Sequence, residues 1–129
     1  MAAAETCPWL NAATAGGVLG GAVQATITPQ SCEFVRHADG RETILRIEVT
    51  AATRQSRCEI DAEPLKGIGN QAMACRYKDK PGWSAGQVVG TVRNQAFLVR
   101  IATNDPSVKP ELLRDKARNV AEQVAGILF

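Results

Sequence analysis

The sequence predicts an α+β domain, a mostly antiparallel sheet of about six strands with a short N-terminal helix and a long C-terminal helix packed on one face. Three observations predict it. The opening "CPWLNAATAGGVLGG" carries helix punctuation, the middle of the chain alternates apolar and polar residues between turn clusters, and the end returns to a spacing of three or four. With 129 residues and no internal repeat, linker or low-complexity tract, the chain reads as one domain, residues 1–129, able to bury a real core.

Taken in order, Asn11 is a fitting N-cap for a helix that starts at Ala12, and Gly20-Gly21 is its stop. Gly16 and Gly17 weaken that helix by about 1 kcal/mol each, so it must lean on packing through Leu10, Val18 and Leu19. "AVQATIT" puts Val23, Ala25 and Ile27 on one face of a first strand that Pro29 ends. "SCEFVRH" and "ETILRIEVT" flank Asp39-Gly40, a strong hairpin signal, and in the second arm Leu45, Ile47 and Val49 oppose Arg46 and Glu48. From Ala51 to Pro64 the pattern weakens, and a helical turn or a loop held by Cys58 is expected.

Alternation resumes in "QAMACRYK", with Met73, Cys75 and Tyr77 on one side, and a turn cluster follows from Lys78 to Gly86. "GQVVGTVR" and "AFLVRIAT" form a tight hairpin about Asn94-Gln95, with Phe97, Val99 and Ile101 facing the core. Pro110 suits a first helical position, and Leu113, Ala117, Val120, Val124 and Ile127 form the apolar stripe of the closing helix.

Fifteen basic and thirteen acidic residues are interleaved, which leaves no track for nucleic acid. No apolar run is long enough to span a bilayer, and the opening Met-Ala-Ala-Ala lacks the basic and apolar regions of a signal peptide. A leader, if the protein is exported, is expected outside these residues. The four cysteines, Cys7, Cys32, Cys58 and Cys75, form no Cys-x-x-Cys, which argues against structural zinc and thioredoxin-like chemistry. Two disulfides in an exported domain, or four buried thiols, are the alternatives. Of the three pairings, sequence order favours Cys7 with Cys32 and Cys58 with Cys75.

The glycines of "PLKGIGNQAMAC" invite a phosphate-loop reading, but Gly67 and Gly69 lead into strand residues rather than a helix, so they are assigned to a structural turn. His37 lies beside the Asp39-Gly40 turn and has no second histidine to work with. Glu59, Asp61 and Glu63 alternate, which on an extended segment gives an acidic face too poor in oxygens for calcium. No metal site, cofactor motif or catalytic constellation is assigned. Trp9 is expected against a disulfide, whereas Trp83 and Tyr77, with Arg54 and Arg57, are the candidate ligand or partner surface.

"CPWLN" before an alanine-rich helix, Cys32-x-Phe34 opening a strand, Gly67-Ile68-Gly69-Asn70-x-Ala72 opening another and a closing amphipathic helix together resemble small cell-envelope lipoproteins of actinobacteria. More distantly, they are similar to the extracellular sensor domains of mycobacterial serine/threonine kinases. The resemblance implies export, a Cys7 to Cys32 disulfide and an α+β fold, and it assigns no catalytic residue. A lipid-attachment cysteine is missing, and the Cys58 and Cys75 pair is one that many such proteins lack. The expectation is a non-enzymatic periplasmic, envelope or secreted domain that binds an envelope protein or a small ligand, with membrane contact only through a lipid anchor. A secreted inhibitor or immunity-type protein, and a thiol or hydrolytic enzyme using His37, are the alternatives.

Overall fold

Two short turns organise the first half of the sheet in the computed structural model, which describes residues 6–54, 57–78 and 80–129. Pro29 and Gln30 join β1 (Gln24–Thr28) to β2 (Ser31–Ala38), and Asp39 and Gly40 join β2 to β3 (Arg41–Ala51). The chain then leaves the sheet through a 3-10 turn at Ala52–Arg54 and re-enters at the far edge as β4 (Ile60–Leu65). β5 (Gln71–Tyr77), β6 (Ser84–Val92) and β7 (Gln95–Thr103) fold back by successive hairpins until β7 lies against β3. The order β1-β2-β3-β7-β6-β5-β4 makes seven strands, every neighbouring pair antiparallel.

One face of this sheet carries the main core. Phe34, Leu45, Ile47, Val88, Phe97, Val99 and Ile101 are all buried there, under α1 (Ala12–Leu19) on the β2–β3 side and α2 (Pro110–Leu128) on the β5–β7 side. Asn11 caps α1 by accepting from the Thr14 N–H at 2.7 Å, and Gly20 ends it in the left-handed conformation. Lys116 Nζ donates to the Val18 carbonyl at 3.0 Å and joins the two helices. Trp9 is buried in the same cluster, beside Cys32 and its partner Cys7. The sequence-expected elements are present, with four corrections.

The first correction is a strand. Residues expected as a helical turn or loop include β4, which has Pro64 within it and one extra residue between Ile60 and Glu63, where Asp61 takes a positive φ of 52°. That bulge also breaks the alternation of Glu59, Asp61 and Glu63, so the three carboxylates do not share a face; Asp61 instead pairs with Arg76 at 2.7 Å. The second is Ile127, which is 57% exposed. Leu128, four residues beyond buried Val124, takes the inward position. The third is register: Val92 pairs with Gln95, so the β6–β7 turn is Arg93-Asn94. The fourth is the turn cluster expected from Lys78 to Gly86, of which Ser84, Ala85 and Gly86 already belong to β6.

Gly67 and Gly69 both have positive φ, 78° and 59°, in the turn that leads into β5. A Cβ on Gly69 would collide with the Thr91 carbonyl oxygen and come within 2.8 Å of Val92 Cγ2, while the neighbouring Asn70 N–H donates to that same carbonyl at 2.8 Å. Gly69→Val is expected to cost about 2–3 kcal/mol or more; a chemical-denaturation midpoint equal to that of the parent would contradict this.

The link into α2 is held by Asp105, whose carboxylate accepts from the Ser107 hydroxyl at 2.7 Å and the Ser107 N–H at 2.9 Å. The hydroxyl bond first, then the amide bond, hold its carboxyl below the ordinary range, with Arg41 adding attraction. A depressed native pKa adds stability above the unfolded value and loses it as pH falls through the folded value. In Ser107→Ala the Asp105 carboxyl resonance is expected to titrate at higher pH than in the parent.

Candidate functional site

The second face of the sheet carries a row of polar side chains across five strands. By register Glu33, Arg46, Arg100, Gln87 and Cys75 are lateral neighbours on β2, β3, β7, β6 and β5. Arg46 donates to Glu33 at 3.0 Å and to Glu48 at 2.8 Å. Glu48 first, and then Glu33, raise the affinity of Arg46 for its proton, against the opposing effect of partial burial. Arg46 is therefore a fixed cation at any ordinary pH. Gln87, only 2% exposed, accepts from Arg100 Nε at 2.8 Å and donates to the Arg57 carbonyl at 3.3 Å.

Those last bonds show how the second face is closed. Residues 57–59 cross it, since Gln87 holds the Arg57 carbonyl and Cys58 is disulfide-bonded to Cys75, while Ala52 N–H donates to the Asn94 carbonyl at the β6–β7 turn. Val89 and Leu98 lie on this face and are buried at 2% and 3%. The other disulfide, Cys7–Cys32, lies on the helix side. The two covalent links thus brace opposite faces of one sheet, and both pairs are those expected from the sequence.

Beyond the crossing the face is open, and the aromatic residues gather there. Tyr77 at the end of β5 has the Arg100 guanidinium over its ring at 3.6 Å, and Lys80 Nζ lies 4.4 Å from the centre of the Trp83 ring. Trp83 separates two clefts. One, of about 200 Å³, has Ile44 and Ala102 as its floor, with Arg46 and Arg100 beside it. The other, of about 270 Å³, lies at the end of the sheet, where Tyr77, Lys78 and Ala85 meet Ile60, Arg76 and Pro110 at the start of α2. A third, of about 190 Å³, adjoins it through Tyr77 and Lys78 and includes Arg57. Arg57 and Lys78 make no ion pair among the described residues.

Three of the four residues expected at a binding surface, Tyr77, Trp83 and Arg57, therefore line adjoining clefts. Arg54 lies in the 3-10 turn that precedes the crossing, and its side chain is outside the described residues. Gln87, Arg100 and Arg46 were not anticipated. The available signal was Gln87 itself, a long polar side chain inside a strand of otherwise small and apolar residues, where only a specific partner justifies burial. His37 is 60% exposed on β2, 3.4 Å from Glu42, and with all four cysteines in disulfides it has no thiol to activate. Among the described residues no cluster of three potential metal ligands occurs, and no helix is long and apolar enough to cross a membrane. Comparison with protein-family models, with curated proteins and with solved structures finds no match.

Proposed function

We propose that this is a non-enzymatic, extracytoplasmic binding domain whose partner is a protein docking on the open part of the second face around Trp83. The observation that carries the reading is the convergence of Tyr77, Trp83 and Arg57, from three separate segments, on adjoining clefts. Size selects the kind of partner. Clefts of about 190 to 270 Å³ fall below the roughly 300–1,000 Å³ that encloses a whole small ligand, but each fits one inserted side chain. Charge selects its character, since Arg57 and Lys78 offer cations that no described carboxylate answers. A protruding, acidic protein surface satisfies both. The two disulfides support an oxidising compartment, where such bonds persist.

The test is photo-crosslinking in the protein's own host, with benzoylphenylalanine placed at position 83, at position 57 or at the exposed turn position 39. The reading predicts a discrete adduct from 83 and 57, absent from 39 and weakened by raised salt during capture. Equal adduct patterns at all three positions would contradict it.

A further inference from the structure

The two edges of the sheet are built differently, and we infer that the β1 edge receives an extended strand from another polypeptide. At the opposite edge β4 is blocked: Pro64 lies within it, Asp61 kinks it at positive φ, and Asp61 and Glu63 place charges along it. β1 has none of these devices. Its residues, Gln24-Ala25-Thr26-Ile27-Thr28, are uncharged, free of proline and glycine, and mostly exposed.

The register says which backbone groups are offered. The Pro29-Gln30 turn makes Thr28 and Ser31 a hydrogen-bonded pair, so by alternation Thr26 and Gln24 also spend their N–H and C=O groups on β2. Ala25 and Ile27 then aim theirs outward, two donors and two acceptors that a strand alone can answer in register. Beside them lies a cleft of about 290 Å³ lined by Thr6, Pro8, Ile27, Thr28 and Pro29. Ile27 pairs with Cys32, so its side chain points to the face that carries the Cys7–Cys32 link and Pro8. A partner residue opposite Ile27 projects to that same face and into the cleft, which is walled by Ile27 and two prolines. The occupant is an extended, neutral segment with an aliphatic or β-branched side chain at that position.

A second copy of this chain is a poorer occupant. Self-pairing of five residues covers far less than the roughly 1,200 Å² that a stable specific dimer buries, and it leaves the cleft to chance. Trp83 leads into the interior strand β6, away from this edge, so the two proposals stand or fall separately.

The experiment titrates the 15N-labelled full chain with an end-blocked peptide, Thr-Val-Thr-Val-Thr flanked by single lysines. Saturable amide shifts are expected at Ala25 and Ile27 and in the Pro8 region, with slowed exchange of those two amides and no change at Trp83. Methylating the central peptide nitrogens is expected to weaken binding at least fivefold. Ala25→Pro, which removes an outward N–H while leaving the bonds to β2, is expected to do the same. Absence of saturable shifts at millimolar peptide, or equal binding of the methylated peptide, would overturn the inference. So would protection of the Ala25 and Ile27 amides in the free protein, whether concentration-dependent as in a dimer or constant as when the chain's own residues fill the edge.

Discussion

Gly86→Ala is expected to destabilise the domain by about 3 kcal/mol, although it adds a single methyl group. The α2 backbone packs directly on the sheet at this glycine. A Cβ there would collide with the Arg114 backbone nitrogen and lie 2.6 Å from both Arg114 Cα and the Leu113 carbonyl carbon, where no flexible side chain can yield. Relief requires the helix to rise from β6, which unpacks Leu113, Ala117, Val120 and Val124, all now buried at 2% or less. Gly17→Ala makes the matched control, because nothing lies within 4 Å of its added Cβ. There alanine is expected to stabilise by about 0.5–1 kcal/mol through helix propensity. Urea unfolding of both variants checks the pair. Equal midpoints would mean that the helix is not seated as closely as described.

Removing either disulfide is expected to cost about 3 kcal/mol in the chain-entropy account, the closed loops having sequence separations of 25 and 17. Alanine pairs are the suitable replacements, since Cys32 and Cys75 are buried at 0% and 1% and a serine would bury a hydroxyl. Against the 5–15 kcal/mol typical of a domain, losing both is expected to leave little or no folded protein at physiological temperature. The two losses should differ in kind. Without Cys58–Cys75 the crossing is freed, the Gln87 amide loses its hold on Arg57, and hydrogen exchange should rise at Val89 and Leu98. Without Cys7–Cys32 the loosening should be confined to residues near Trp9, α1 and β2. Identical exchange patterns in the two variants would contradict this division of labour.

What the sequence made legible is what is encoded locally. Asn11 and Gly20 cap α1, Asp39-Gly40 turns a hairpin and Pro110 starts α2, each through its own dihedral and hydrogen-bonding preference. β4 was not legible because Asp61, Ala62, Glu63 and Pro64 have poor strand propensity; only pairing with β5 makes them a strand. The site divides in the same way. Trp83, Tyr77 and Arg57 stand out by residue type, whereas Arg100 joins them through pairings of β7 with β6 and β3 that no local pattern announces.

An oxidised, twice-braced sheet is tested most directly by the thiol state of the protein recovered from its own host. Alkylation under denaturing, non-reducing conditions followed by peptide mass spectrometry should find no labelled cysteine, with Cys7 joined to Cys32 and Cys58 to Cys75. Four alkylated cysteines would contradict both the bracing and the extracytoplasmic placement.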